Sequence, residues 1–125
     1  MENCVYIFFL LVVFQLKHFI ADYPLQNPYM LGKFKDDWGF FLPLLIHSLT
    51  HGVITLAILF ITANHELWWL FLVDTVSHFV IDRLKAGKKY LGRWGTNHPL
   101  FWWSLGLDQM LHHLVHYYII YMIVC

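Results

Sequence analysis

Long apolar stretches alternate with short polar turns along the chain, and each apolar stretch is interrupted by a few polar residues at regular spacing. Four such stretches lie at residues 4–22, 40–63, 67–86 and 100–124. They approach or exceed the about 20 mostly apolar residues that a membrane-spanning helix needs. Proline and glycine mark the first and third turns between them. The pattern predicts an all-α fold, a four-helix transmembrane bundle that forms a single integral-membrane domain.

The composition agrees with a membrane protein and excludes several other classes. Hydrophobic residues make up 59% of the 125 residues and charged residues 13%, whereas a soluble domain carries about 25% charged residues. So small a soluble protein could not bury this much apolar surface. Lys and Arg balance Asp and Glu at eight each, so no net charge attracts nucleic acid. Two cysteines, Cys4 and Cys125, cannot supply a thiolate zinc site.

The positions of the basic residues predict the orientation. Lys33 and Lys35 lie in the first loop, and five more basic residues follow within or after the third helix: Arg83, Lys85, Lys88, Lys89 and Arg93. Because cytoplasmic loops are enriched in Lys and Arg, these two loops are predicted to face the cytoplasm, with both termini outside. Short loops predict an up-down bundle. The expected location is the cytoplasmic membrane, with lipids as neighbours.

Polar residues four positions apart occur in every predicted span. The pairs are His18–Asp22, His47–His51, His78–Asp82 and Asp108–His112, extended by Asp74 and His116. Random placement would give about 1.4 His–Asp or His–His pairs at this spacing, and the chain has six. Residues at i and i+4 share one helix face. Under the predicted topology, the four pairs all fall in the cytoplasmic half of the bundle.

Buried Asp and His side chains in a membrane pair with one another and mark function. The predicted metal ligands are His18, Asp22, His47, His51, His78, Asp82, Asp108 and His112. This set suffices for two divalent ions, and mixed imidazole and carboxylate ligands favour zinc, with manganese or iron as alternatives. A dinuclear site would activate water and hold a phosphoryl group. Asp74 or Asp108 is the predicted general base, although Asp74 could also be a ligand or orient an imidazole.

Four further polar residues are predicted to contact a substrate or orient the ligands: Gln26, Lys85, Gln109 and His116. Lys85 could instead extend to the lipid headgroups. The basic third loop, with Tyr90 and Trp94, could hold a lipid phosphate or serve only to set the orientation. His65, His98 and His113 are not expected to be ligands.

In these motifs the chain resembles a domain-of-unknown-function family of short polytopic membrane proteins from bacteria and tailed phages. The matching blocks are His18-x3-Asp22-x3-Gln26, His47-x3-His51, His78-x3-Asp82-x2-Lys85 and Asp108-Gln109-x2-His112. They occur in this order over essentially the whole chain. The resemblance implies a phage or prophage origin. A more distant similarity, in residue types and topology, is to membrane-bound metal-dependent hydrolases.

These observations leave several functions open. The first is a metal-dependent hydrolase acting on a lipid or lipid-linked phosphate from the cytoplasmic leaflet. The second is a phage-type protein with a structural metal site that acts by binding a host membrane protein, and a homo-oligomer is also open. The third is transport of a divalent cation or protons. Apart from Thr55 and His116, the outer halves of three spans are apolar, which favours a pocket over a pore. A di-haem bundle is disfavoured by the clustered carboxylates.

Overall fold

Four α-helices make up most of the chain. The computed structural model describes residues 2–25, 27–35, 37–86 and 93–125. Within these ranges the helices are α1 (Glu2–Asp22), α2 (Phe41–Ile61), α3 (Leu70–Ala86) and α4 (Pro99–Val124), and there is no strand. Short 3₁₀ helices at Pro28–Phe34, Trp38–Phe40 and His65–Leu67 lie in the connections. The all-helical prediction is confirmed, and the four helices coincide with the four predicted segments. Gln26, Lys88, Lys89 and Tyr90 lie outside the described residues.

Local hydrogen bonds determine where the helices begin and end. Ahead of α2, Asp37 caps a 3₁₀ turn by accepting a hydrogen bond from the Gly39 backbone N–H at 2.8 Å. At the start of α4, His98 Nδ1 accepts from the Leu100 backbone N–H at 3.1 Å. Beyond α2, Ala63 adopts a φ of 60°. This left-handed residue reverses the chain after α2, so that α3 can return alongside it.

The helices form a closed ring in which α1 packs against α2 and α4, and α3 also packs against α2 and α4. Their directions alternate. Asp22 at the end of α1 and Asp82 in the last part of α3 lie 3.4 Å and 3.3 Å from His47 Nε2 in the first half of α2. Lys85 in the last turn of α3 lies 3.5 Å from Asp108 in the first half of α4. The arrangement is therefore an up-down bundle, in which late residues of one helix meet early residues of the next.

The two halves of the bundle have different interiors. One half contains an apolar core that draws on all four helices: Leu10, Phe14, Ile58, Leu59, Leu70, Ile119 and Ile120. The other half contains buried histidine, aspartate and lysine side chains. Because polar groups are concentrated in one half, the apolar half provides the hydrophobic stabilisation that holds the helices together there.

The outer surface is apolar on every helix. Phe8 on α1 is 67% exposed, Ile61 on α2 84%, Val76 on α3 61% and Trp103 on α4 75%. Two helical segments, Asn3–Asp22 and Trp38–Ile61, are long and apolar enough to cross a membrane. Among the described residues α3 and α4 do not meet the same criterion. α3 has 17 residues, fewer than the about 20 that a span needs, and the two helices carry Asp74, Asp82 and Asp108 into the interior.

One close approach fixes the packing of α2 against α3. A Cβ atom on Gly52 would overlap Thr75 Oγ1 and would lie 2.9 Å from a ring carbon of Phe71. The Thr75 hydroxyl is held by donating to the Phe71 carbonyl at 2.9 Å. Only a glycine at this position of α2 therefore fits the observed separation of the two helices.

Candidate metal centre

Histidine and aspartate side chains from all four helices converge in the polar half of the bundle. They form three groups in which one ligand atom per residue lies within 4.8 Å of the others. The groups are Asp22/His47/His51, Asp82/Asp108/His112 and His18/His78/His116. The structure thus brings together all eight predicted ligands and adds His116, for which the sequence predicted an orienting or packing role.

The first group joins the end of α1 to the first half of α2. Asp22 Oδ1 lies 2.7 Å from His51 Nε2 and 3.4 Å from His47 Nε2. Both histidines are buried, whereas the Asp22 side chain is 24% exposed. In a tetrahedral zinc site, bonds near 2.1 Å place ligand atoms about 3.4 Å apart. The His47–Asp22 separation equals that value, whereas the His51–Asp22 separation is shorter and has the length of a hydrogen bond.

The second group joins α3 to α4. His112 Nε2 lies 3.0 Å from Asp82 Oδ1 and 3.1 Å from Asp108 Oδ1. The Asp108 side chain is 3% exposed and that of Asp82 10%. Two carboxylates beside one ring nitrogen in a buried position need a cation or a proton to offset their repulsion. This group therefore has the charge and the donor atoms of a cation site.

Asp82 links these two groups. Its Oδ1 belongs to the second group, while its Oδ2 lies 3.3 Å from His47 Nε2 in the first group. Ring nitrogens and carboxylate oxygens therefore alternate from His51 through Asp22, His47 and Asp82 to His112. A carboxylate that faces two neighbouring cation sites with different oxygens has the geometry of a bridging ligand.

The third group is made of imidazoles whose protonation is determined by their neighbours. His18 Nε2 donates to Gln109 Oε1 at 3.2 Å, and the Gln109 amide is oriented by donating to Asp108 Oδ2 at 3.0 Å. His78 Nδ1 lies 2.8 Å from Asp74 Oδ1 and 3.2 Å from the Asp74 carbonyl. Since all these partners accept, the lone pairs fall on His18 Nδ1 and His78 Nε2.

Many buried nitrogens of the cluster lack a hydrogen-bonding partner within the described part of the chain. They are His18 Nδ1, His47 Nδ1, His51 Nδ1, His78 Nε2, His112 Nδ1 and His116 Nδ1. Buried polar atoms are nearly always paired in proteins. In His47, His51 and His112 the unpaired nitrogen is Nδ1, whereas Nε2 faces the carboxylates.

A buried ion pair lies against the third group, and sequence reasoning did not identify its lysine. Lys17 Nζ donates to Asp74 Oδ2 at 2.6 Å and lies 3.3 Å from His116 Nε2. Thr55 also donates to Asp74 Oδ2. The signal was available, because a lysine inside an apolar span marks a functional position. Both oxygens of Asp74 are thus engaged by neighbours, which favours the orienting role over that of a general base.

Two lysines lie at the edge of the cluster. Lys85 Nζ is 3.5 Å from Asp108 Oδ2, and Lys33 Nζ is 4.0 Å from Asp82 Oδ2. Lys85 was predicted as a substrate contact, whereas Lys33 entered the sequence analysis only through its charge. Because Lys33 lies in a loop, no helical spacing could have associated it with the ligands. Asp22 and Lys85 are the most exposed of these charged side chains, at 24% and 31%, and they indicate where the cluster opens.

The three histidines that were not expected to be ligands belong to none of the three groups. His98 caps α4, and His65 begins a 3₁₀ helix. His113 borders the third group, since its ring centroid lies 5.4 Å from that of His18. Its Nδ1 lies 3.3 Å from Gln15 Nε2 on an exposed side of α1 and α4.

No curated protein and no solved structure matches the chain. A family model described as "Protein of unknown function (DUF3307)" matches residues 9–125. This match covers nearly the whole chain and includes every His and Asp residue of the three groups. The chain therefore belongs to this family of proteins of unknown function, DUF3307.

Proposed function

We propose that the protein is an integral membrane metal-dependent hydrolase with a dinuclear His/Asp site. The observation that carries the proposal is the pair of groups Asp22/His47/His51 and Asp82/Asp108/His112, joined by Asp82 in the interior of the bundle. Each group offers three mixed imidazole and carboxylate ligands, as catalytic zinc sites do. Manganese or iron would also accept this set.

The apolar exterior supports a bundle in which all four helices cross the membrane. Exposed large apolar side chains occur on α3 and α4 as well as on α1 and α2, and soluble monomers rarely present such continuous apolar surface. The polar residues that lower the hydropathy of α3 and α4 face inward. With the basic loops toward the cytoplasm, the site lies in the cytoplasmic half of a bacterial inner membrane.

We place two ions rather than three. The third group would require an ion beside His116, whose Nε2 lies 3.3 Å from the Lys17 ammonium. A divalent cation there would be repelled by an existing positive charge. His18 and His78 instead contact the other two groups. His18 Nε2 lies 3.0 Å from Asp22 Oδ2 in the first group. The His78 ring lies between the groups, with its centroid 3.8 Å from that of His51 and 4.3 Å from that of His112.

Two bound ions would supply Lewis acidity at a phosphoryl oxygen and a nucleophile derived from water. Among the chain's own groups, Asp108 is the proposed proton acceptor. Its Oδ1 faces His112, while its Oδ2 faces Lys85 and Gln109 at the edge of the cluster. Asp74 orients His78 from the interior side. The proposed substrate is a lipid or lipid-linked phosphate that reaches the site from the cytoplasmic leaflet.

The apolar half of the bundle favours an enclosed site over a transport path. The interior of that half contains apolar side chains that are each at most 1% exposed: Leu10, Phe14, Leu59, Leu70 and Ile119. An ion would have to pass them without a polar partner. The alternative is a structural metal site in a protein that binds a host membrane protein. Such a site would use the same metal ligands as the hydrolase but would not turn over a substrate.

Metal content by inductively coupled plasma mass spectrometry on detergent-purified full-length protein tests the proposal. We expect two equivalents of one metal in the wild type, and about one in His47→Ala/His51→Ala and in Asp108→Asn/His112→Ala. His113→Ala is the matched control, since it removes a histidine of α4 outside the groups, and it should retain two. Folded wild-type protein without metal would refute the proposal.

Turnover separates the hydrolase from a structural site. The zinc-loaded wild type should release phosphate from phosphatidic acid or an isoprenyl phosphate. Because Asp108 is also a proposed ligand, Asp108→Asn is compared with the wild type at equal zinc content, where it should slow the reaction by roughly 100-fold or more, as expected for loss of a general base. Two bound ions without turnover of any lipid phosphate would leave the structural role and exclude the hydrolase.

A further inference from the structure

The two lysines at the edge of the metal groups occupy equivalent positions. Lys85 Nζ lies 3.5 Å from Asp108 Oδ2, and Lys33 Nζ lies 4.0 Å from Asp82 Oδ2. One ammonium group therefore lies next to each of the two carboxylates of the second metal group. Their side chains differ in exposure, at 11% for Lys33 and 31% for Lys85.

Lys33 is not an ordinary surface lysine. It lies in the 3₁₀ helix Pro28–Phe34, which packs against α2 and α3, and the residue is 9% exposed. Burying a lysine is costly unless its charge has partners. The position of this ammonium group is therefore explained by its attraction to the carboxylates of the cluster, of which Asp82 is 4.0 Å away. The neighbouring Lys35 is exposed, and its backbone carbonyl accepts a hydrogen bond from Arg83 at 3.2 Å.

The charge at the edge of the site becomes strongly positive when metal binds. Without metal, the three carboxylates of Asp22, Asp82 and Asp108 face two ammonium groups. The site then carries one negative charge with neutral histidines, and no net charge when His112 holds a proton between Asp82 and Asp108. Two divalent ions add four positive charges, which leaves an excess of three positive charges while the histidines are neutral. The buried Lys17–Asp74 pair is neutral as a unit and does not alter this balance. A dianion then finds a favourable site that was absent before.

We propose that Lys33 and Lys85 form an anion-binding subsite for a phosphate monoester group beside the two metal groups. In the metal-free protein these ammonium groups pair with Asp82 and Asp108. When those carboxylates bind metal, the two lysines remain at the edge and donate to the phosphate oxygens. Lysine recognises phosphate as a point charge. The inference rests on the proposed function, because the subsite exists only when metal is bound.

The experiment uses full-length protein in phosphatidylcholine nanodiscs, with and without zinc, and measures inorganic phosphate binding by calorimetry. Zinc-loaded wild type should bind phosphate and the metal-free protein should not. Lys33→Met and Lys85→Met should each weaken phosphate binding by about tenfold, the loss expected for one charge-assisted hydrogen bond. Lys35→Met, a matched lysine from the same loop, should leave the affinity unchanged.

Metal content is measured on the same samples, so that the two proposals fail separately. Each lysine variant should retain at least the wild-type zinc content, because a competing cation has been removed. A wild type that retains no zinc would refute the dinuclear site and this subsite with it. Two results would overturn only the subsite: zinc-loaded wild type that binds no phosphate, or equal phosphate affinity in the wild type and Lys33→Met/Lys85→Met. An equal loss of phosphate affinity in Lys35→Met, or a loss of zinc in the Lys33 and Lys85 variants, would overturn it as well.

A second arm identifies the source of the phosphate. Phosphatidic acid replaces part of the phosphatidylcholine, and its binding is compared with that of inorganic phosphate in the same five proteins. Stronger binding of phosphatidic acid that depends on Lys33 and Lys85 would identify a lipid headgroup as the ligand. Equal or weaker binding with the same lysine dependence would identify the free anion.

Discussion

The buried pair Lys17–Asp74 provides a direct test of the packing inside the bundle. The Lys17 side chain is 1% exposed and that of Asp74 0%, and Nζ and Oδ2 are 2.6 Å apart. Lys17→Met removes the ammonium group but keeps a long apolar side chain. Asp74 would then keep Thr55 as a donor but lose the charge that compensates it.

The expected cost follows from that burial. Breaking a buried ion pair by removing one partner costs about 3–5 kcal/mol, because the remaining charge is uncompensated. This corresponds to a roughly 150- to 5,000-fold decrease in the ratio of folded to unfolded protein. Asp74→Asn should cost a similar amount, because it leaves the ammonium group of Lys17 without its carboxylate. The double variant Lys17→Met/Asp74→Asn should be more stable than the sum of the two losses predicts.

The assay is equilibrium unfolding in mixed micelles with increasing SDS, followed by circular dichroism. The coupling free energy from the double-mutant cycle should be at least about 1–2 kcal/mol in favour of the pair. Lys35→Met, an exposed lysine, should change the stability by no more than about 0.5 kcal/mol. Single variants at Lys17 and Asp74 that each cost less than about 1 kcal/mol, or that add without coupling, would refute the assignment of a buried, mutually dependent pair.

Two further predictions concern packing and metal retention. Gly52→Ala should destabilise the fold by about 1–3 kcal/mol in the same SDS titration, since its Cβ would meet Thr75 and Phe71. Gly106→Ala adds a Cβ that meets no neighbouring group within 4 Å, so it should instead stabilise α4 by up to about 1 kcal/mol. Equal effects of the two substitutions on stability would contradict the close approach of α2 and α3 at Gly52. Lowering the pH from 7 to 5 should release the bound metal, because imidazole and carboxylate bind metal only when deprotonated. Metal that stays bound throughout this titration, measured after gel filtration at each pH, would argue against histidine ligation.

Much of the fold follows from the sequence, because the apolar segments are long and the turns between them are short. Helix-period spacing also selected histidines and aspartates that the structure brings together, since residues at i and i+4 lie on one face. The spacing did not show how the pairs divide. His47 with His51 and Asp108 with His112 stay in one group. Asp22 is grouped with His47 and His51 of α2, although it also lies 3.0 Å from His18. Which of these residues form one group depends on the contact between antiparallel helices, and that contact is not encoded in the spacing of one helix.

The residues that sequence reasoning missed were not repeated at helical spacing. Lys17 lies within an apolar segment next to a predicted ligand, and its partner Asp74 is 57 positions away. Lys33 lies in a 3₁₀ helix of the first loop, where no periodicity relates it to Asp82. Long-range charge pairs of this kind become visible only when the helices have been packed together.

The distribution of charge between helices has a consequence for biogenesis. α3 has 17 residues and carries Asp74, Asp82, Arg83 and Lys85, so it would partition poorly into the bilayer from the translocon by itself. Its connection to α2 is short, and Asp74 is neutralised by Lys17 from α1. In the proposed four-span topology, we therefore expect α3 to enter the bilayer together with α2 as a helical hairpin, after α1 is in place. Insertion of the third helix and formation of the interior charge pair would then be the same step.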